Sequence, residues 1–312
     1  LKTVYYKGTT PIDISELVSQ TVWSGNEDEV ARRIEIDVLN PLQDYYIPKI
    51  ELKLGDFIAL YTDNDKELFQ GFILSKEKNS QNGNISLTCV DGLYYANKSR
   101  SIHNFSKKMA EEITTTLCNE TKIAIGSLAK TEIAQDLPAN DTIFNIIKDA
   151  YDYASSINGK KYIISMKQGK LYVEEKAKSA SLVLLSSDND ISGSSYTETL
   201  ESMVNVVKVY DDAGKQIGEV KNSENIVAYG IFQDVYEKEE DKNYNIVAKN
   251  MLKGIEKTLS IDAIGNFDCV YGSYVTITDN LIGITGDYTI ISDSHTIVNG
   301  DHTMHLELRE GY

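Results

Sequence analysis

A chain of 312 residues is long for one small domain and is expected to form two or three compact units, each able to bury a core. Hydrophobic residues at 41% and charged residues at 25% are ordinary for a folded globular protein and argue against a disordered or fibrous chain. A formal net charge of −16 argues against stable nucleic-acid binding, which rests on clustered Lys and Arg that neutralise phosphates.

Tyrosine outnumbers phenylalanine, 20 to 7. That ratio suits strands whose rings lie half-buried with the hydroxyl reaching water or a partner, so a β-rich protein is expected. Cys89, Cys118 and Cys269 lie far apart with no CxxC spacing. They indicate neither a disulfide framework nor a thiolate zinc site and read as buried thiols of a protein made in a reducing cytosol. The opening LKTVYYKGTT lacks the apolar core of a signal peptide, and apolar runs such as Leu182–Leu185 are too short to span a bilayer. No integral membrane segment is expected.

The stretch Thr21–Pro41 sets the only tryptophan, Trp23, before an acidic loop and an alternating strand. Trp23 reads as a packing anchor, Ser24–Gly25 as a turn and Asn26–Glu29 as an exposed link, although a lone tryptophan beside polar residues can also stack on a sugar. In Arg33–Asn40, residues Ile34, Ile36 and Val38 share one face while Arg33, Glu35 and Asp37 share the other, which predicts a half-buried strand. KLGDFIALYTD, ELFQGFILSKE and, after the turn-forming Asn82–Gly83, NISLTCVDG continue as short strands of an antiparallel barrel or sandwich. This first domain ends near Ser101.

The period then changes. Met109, Ile113 and Leu117 recur four apart, predicting an amphipathic helix with Ser106 as N-cap. A second helix opens after Pro138, with Ile143, Ile146, Ile147, Ala150 and Ala154 as its stripe and Asn140 or Asp141 as cap. KYIISMKQGKLYVEE reads as a hairpin turning at Gln168–Gly169, which completes a small α+β unit. Ser186–Ser195 has linker composition.

From Tyr196 strands return, with a hairpin around Asp212–Gly214. A third helix is expected within Asn243–Ser260, its stripe being Val247, Met251, Leu252, Ile255 and Leu259. The acidic Asp234–Asn243 run before it reads as a solvated loop. Short glycine-bounded strands close the chain, in an order that echoes the first domain. Gly55 lies over Gly272, Gly71 near Gly286, and Asn82–Gly83 near Asn299–Gly300. A weak internal duplication is therefore expected; chance matching of short strands is the alternative.

The most tempting chemistry is His295, His302 and His305 in one segment. With a two-residue turn at Asn299–Gly300, alternation puts His295, Ile297, His302, Met304, Leu306 and Leu308 on the apolar face. Thr296, Val298, Asp301, Thr303, His305 and Glu307 then fall on the other, so three imidazoles cannot converge on one metal. Carboxylates are abundant, but none is paired by spacing; Glu111 and Glu112 fall on the outer side of a helix. GxxxxGK[ST], GxSxG, HExxH and GxGxxG are all missing. No catalytic, cofactor-binding or metal-ligating residue is assigned, no cofactor is expected, and the chain reads as a non-enzyme.

Trp23–Gly25 as WSG, then ARRIEIDV, KLGDFIALY, ELFQGFIL, GKLYVEE, NVVKVYDDAG and the ending GDYTIISDSHTIVNGDHTMHLEL follow one another as a series that resembles the XkdQ/YqbQ-like family of phage tail proteins. The resemblance implies an α+β, mainly β fold: two tail-tube-like antiparallel β-barrels, at 1–101 and 192–312, flanking a helix-containing α+β unit at 102–191. It implies the central baseplate hub of a contractile tail or tail-like bacteriocin, a homotrimer forming a pseudo-sixfold ring between the tail tube protein and the central spike protein. Other baseplate proteins and the tape-measure protein are further implied partners. The implied location is the virion baseplate, after assembly in the host cytoplasm. Such a ring would encircle a conduit, and excess acid from Glu35, Asp37, Asp279, Asp287 and Glu307 is expected on its inner wall; a merely solubilising surface is the alternative. A tail-associated cell-wall hydrolase and a glycan-binding tail-tip module are the competing functions.

Overall fold

The computed structural model describes every residue except 28, 40–49, 79–82, 177–182, 239–243 and 311–312. Asn82, Leu182, Asp28 in the Asn26–Glu29 link and the end of the Asp234–Asn243 run thus lie outside the described residues. The chain divides into two compact units, Leu1–Ser194 with Ile261–Tyr312, and Ser195–Ser260.

The amino-terminal strands are β1 (Lys2–Lys7), β2 (Thr10–Asp13), β3 (Val18–Asn26), β4 (Arg33–Leu39), β5 (Phe57–Tyr61), β6 (Glu67–Lys78) and β7 (Asn84–Val90); burial alternates in β3, β4 and β7, whereas β1, β5 and β6 each bury three consecutive residues. Ile34, Ile36 and Val38 of β4 are buried as their alternation predicts, between β3 and β7. Tyr5 shows why tyrosine suits such strands. Its ring is buried in this core while its hydroxyl donates to the Asp56 carboxylate (2.5 Å) and the Glu51 carbonyl (2.9 Å).

The middle segment follows with α1 (Leu93–Lys98), β8 (Arg100–Met109), α2 (Ala110–Thr121), β9 (Ile125–Leu128), β10 (Ala134–Thr142), α3 (Ile143–Asn158), β11 (Tyr162–Lys167) and β12 (Lys170–Glu175). Ile113 and Leu117 and the whole stripe of α3 are buried, whereas Met109 is half-buried at the end of β8, and both expected caps move. Ser106 lies inside β8, where its hydroxyl and the Lys107 N–H donate to Asp136 of β10; α2 starts only after Met109, whose N–H donates to Glu112 (3.0 Å). Asn140 and Asp141 are likewise held in β10, and Thr142 caps α3 by accepting the Asn145 N–H (3.2 Å). In each case strand pairing runs to the helix and displaces the cap. The hairpin turns at Gln168–Gly169 as expected, both residues having positive φ.

Ser186–Ser195 is not a linker: Ser186 ends β13 (Val183–Ser186), residues 187–190 turn, and Ile191–Ser195 open β14 (Ile191–Thr199). The second unit holds β15 (Val206–Tyr210), β16 (Gln216–Lys221), α4 (Ser223–Tyr229), β17 (Gln233–Glu237) and α5 (Tyr244–Met251). Val207, Val209, Tyr236 and Ala248 form its core, with β15 between β16 and β17. The expected third helix stops at Met251. After Gly254 the chain enters β18 (Glu256–Ile264), where Leu259, Ile261 and Ala263 are buried with period two, so Leu259 belongs to a strand. Then come β19 (Tyr274–Asp279), β20 (Ile284–Val298) and β21 (Asp301–Glu310).

The fold is mainly β, but the terminal strand systems are not two closed barrels. They join in one 13-stranded sheet of order β14-β18-β21-β20-β3-β4-β7-β6-β5-β1-β2, with β13 on β19 and β19 on β20. Within it, β5-β6-β7 and β19-β20-β21 share a register. Phe57, Ile58, Ala59 and Leu60 pair with Phe72, Gly71, Gln70 and Phe69; Tyr274, Val275, Thr276 and Ile277 pair with Thr289, Tyr288, Asp287 and Gly286. Each long strand is then interrupted at the same place, between Ile73 and Ser75 in β6 and between Ile290 and Ser292 in β20. Gly55 (φ 84°) and Gly272 (φ 86°) precede the two sets, and their N–H groups donate to Ile73 and Ile290, both at 2.9 Å. Gly71 corresponds by this register to Tyr288, two residues from the expected Gly286.

Candidate functional site

The site with the most convergent polar chemistry lies where the amino- and carboxyl-terminal strands meet. The upper half of β20, Ser292–Val298, pairs antiparallel with β3, bringing His295 opposite Trp23 and Asp293 opposite Gly25. Trp23 is 3% exposed and packs on His295 (ring centroids 5.0 Å) and Phe267 (6.2 Å), with the Arg32 guanidinium 4.2 Å from its ring centre.

Arg32 crosses β3 at Gly25 to reach Asp293. A Cβ on Gly25 would lie 2.7 Å from Arg32 Nη1, so glycine here provides clearance within a strand and not the turn expected of Ser24–Gly25. The two η nitrogens donate to the two carboxylate oxygens of Asp293 at 2.9 and 2.5 Å, and the Asp293 side chain is fully buried. Asp293 also accepts the Tyr271 N–H (2.5 Å). The backbone of Arg32 is tied in turn to Asp91, whose carboxylate accepts the Arg32 N–H (3.2 Å) and the Leu93 N–H (2.9 Å). Burial raises the Asp91 carboxyl to about 7 despite these donors.

His295 and His302 share the apolar face and His305 the opposite one, as alternation predicts. His295 Nδ1 lies 3.0 Å from His302 Nε2, and His295 Nε2 lies 3.0 Å from the Cys269 carbonyl. Burial lowers both histidines, His302 to about 4, with the neighbouring His295 adding to its shift. His302 stacks on Phe267 (4.2 Å), while His305 bonds Asp262 (2.7 Å) on the other face. Among the described residues no three His, Cys, Asp or Glu side chains gather as a metal-sized group.

Beside this cluster is a cavity of about 770 Å³ lined in part by Trp23, Arg32, Asp91, Met166 and Tyr271. Of its polar lining groups, the Arg32 η nitrogens are engaged with Asp293 and the Asp91 carboxylate with two backbone N–H groups, while Trp23 Nε1, Arg32 Nε and Ser165 Oγ are buried without a hydrogen-bond partner among the described residues. The arrangement fastens two strand systems together, with Trp23 only 3% exposed between them.

The other singled-out acids are spread widely. Glu111 accepts the Thr131 hydroxyl (2.8 Å), and Glu112 caps α2. Glu35, Asp287 and Glu307 are exposed and Asp37 is half-buried. Asp279, expected on a surface, is buried and accepts the Leu281 N–H (2.9 Å). Sequence reasoning missed Arg32, Asp91 and Asp293. A buried strand position occupied by Asp, as in SDSHT, is the one signal that marks such a group from sequence.

YqbQ of Bacillus subtilis (strain 168) is 26% identical over 284 residues, which is 86% of this chain and 85% of that protein. The structure is similar to the 43 kDa tail protein of prophage MuSo2 from Shewanella oneidensis, with TM-score 0.76, 10% identity and coverage of 99% and 98% of the two chains. For a tail protein from Neisseria meningitidis MC58 the values are 0.73, 13%, 99% and 96%. The E. coli c3393 protein, a type VI secretion component described as structurally similar to the T4 tail proteins gp27 and gp5, matches with TM-score 0.56 and 9% identity over 100% of this chain and 77% of that one. A model of the YQBQ-like family matches residues 21–309, and the chain belongs to that family.

Proposed function

We propose that this chain is a non-enzymatic structural protein of a phage tail or tail-like particle, a baseplate hub whose copies form a trimeric ring. The observation that carries the reading is the repeated strand trio: β5-β6-β7 and β19-β20-β21, alike in register and interruption, lie in one sheet joined by β3 and β20. Two such sets per chain turn three chains into six similar sectors, which suits a molecule that joins a hexameric tube to a trimeric spike. In this proposal the chain is organised as two related end regions, 1–101 and 192–312, flanking 102–191, and was duplicated from one ancestral half. The family membership and the tail proteins of like fold support it.

The partners are the tail tube protein, the central spike protein, other baseplate proteins and the tape-measure protein, in the baseplate after assembly in the host cytoplasm. The face of the sheet opposite the core carries Glu35, Asp37 and Glu307 together with His305, Arg309, the hydroxyls of Ser24, Ser86, Ser294 and Thr296, and Arg33, which pairs with Glu35; we place it on the conduit wall. An acidic wall repels a passing polyanion. The test is the mass of the purified chain, alone and with tube and spike proteins. Three copies are expected in the complex, and a single copy overturns the hub reading.

A further inference from the structure

β20 is a strand in two halves. Ile284–Thr289 pairs with β19, and beyond the interruption Ser292–Val298 pairs with β3 while β21 continues along the other edge. β6 is built the same way. Glu67–Phe72 pairs with β5, the interruption follows, and Ser75–Lys78 continues beside β7. Where β20 receives β3, however, no strand among the described residues lies beside Ser75–Lys78, whose side chains are exposed.

The strand that corresponds to β3 is also identifiable. β3 neighbours β4, which neighbours β7; β14 neighbours β18, which neighbours β21. β14 therefore holds in the second set the place β3 holds in the first, and it stands at the end of the strand order, with its far edge unpaired among the described residues. Each chain thus contains one complete joint, β20 with β3, and the two separated halves of another, the end of β6 and the free edge of β14.

We infer that copies of this chain associate by adding β14 of one to Ser75–Lys78 of the next, repeating between chains the pairing that β3 and β20 make within one. The inference rests on the ring reading and names its interface. Unpaired strand edges present rows of N–H and C=O groups that template strand addition. Because the two halves are different surfaces, the contact is head-to-tail and closes a ring when the rotation per copy divides the circle. The strand edges, more than the side chains, fit a second copy: Lys78 is exposed on the β6 side, while Lys76 donates to the Leu52 carbonyl (2.7 Å) and Glu198 of β14 pairs with Lys257 (3.7 Å) within the chain.

The two joints differ in strength. Counted from the interruption, Lys76 holds the place of Asp293 and Lys78 that of His295. The buried ion pair that locks the internal joint has no counterpart in the external one, so association between copies is reversible and concentration-dependent.

Disulfide trapping tests this on the full chain. The native thiols Cys89, Cys118 and Cys269 are buried and do not compete. Glu77→Cys is combined in turn with Tyr196→Cys, Thr197→Cys or Glu198→Cys, and with Thr10→Cys on the distant strand β2 as control. One β14 pair is expected to give intermolecular disulfides ending at three copies, at a yield roughly tenfold above the β2 control, since bridging requires Cα atoms within about 7 Å. A trimer by mass in which every β14 pair stays at the control level overturns this interface and leaves the ring reading standing. A chain that never associates, at any concentration or with tube and spike proteins, overturns both. A ladder running past three copies supports the strand joint and contradicts the closed trimer.

Discussion

The strand trios β5-β6-β7 and β19-β20-β21 have one backbone plan and opposite edges. In β20 the residues past the interruption include Asp293 and His295, both buried against β3; in β6 the corresponding residues are Lys76 and Lys78, both exposed. The difference teaches that pairing geometry and fastening chemistry are separable. The same strand half can be a permanent joint where an Arg–Asp pair and an aromatic cluster are buried in it, or an edge guarded by lysine until a partner arrives.

The comparison breaks most visibly at Asp293. Asp293→Ala leaves the Arg32 guanidinium without its carboxylate and is expected to cost about 3–5 kcal/mol in chemical denaturation, because one partner of a buried pair has been removed. An unfolding midpoint unchanged from wild type would mean that the joint is not held by this pair. Gly25→Ala comes next. Its Cβ would press on Arg32 Nη1, so a loss of roughly 1–3 kcal/mol is expected, read in the same assay and reduced in an Arg32→Ala background where nothing occupies the space.

Acid sharpens the comparison, since His295 and His302, which burial holds below the ordinary histidine range, lie in the internal joint. His302 sits at about 4 in the fold against 6.5 ordinarily, so the stability it lends is complete above 6.5 and is lost as pH falls toward 4. Asp91, raised to about 7 from 3.8, works the other way: its contribution is complete below 3.8 and is lost as pH rises toward 7. His302→Phe, which keeps a ring beside Phe267, is expected to remove the share of the acid-side loss that His302 carries, His295 keeping its own. The difference in stability between pH 7.5 and pH 5 should shift by about 1 kcal/mol in favour of pH 5. An unaltered pH profile would contradict it. The smallest effect is expected on the open edge: Lys78→Ala should leave the stability of the unassociated chain within about 0.5 kcal/mol of wild type, and Lys76→Ala should cost no more than the about 0.5–1.5 kcal/mol of its hydrogen bond to the Leu52 carbonyl, while both change how copies associate. A large loss of stability there would show that the edge is already covered within the chain.

Much of the local structure is legible in the sequence. The alternation of Ile34, Ile36 and Val38, the stripe of α3 and the turns at Gln168–Gly169 and Asn299–Gly300 all carry periodicity or turn chemistry that one segment can express. The two faces of the histidine hairpin follow from the same rule. The caps at Ser106 and Asn140 were misplaced because β8 and β10 pair with each other up to the helices, a tertiary event no local cap preference reports. The helix expected to reach Ser260 failed because Leu259 fits both a helical stripe and a strand face. The joint itself was the least legible part, since Arg32 and Asp293 are 261 residues apart and nothing in either segment names the other. Trp23 was visible as an anchor, but its partners Phe267 and His295 come from the far end of the chain.

The copy number of this chain in the assembled baseplate tests the central claim most directly. Counted from a density map of the particle or from the mass of the purified complex with tube and spike proteins, it is predicted to be three, with β14 of each copy lying along Ser75–Lys78 of the next. One copy, or a pair related by a twofold axis, would contradict it.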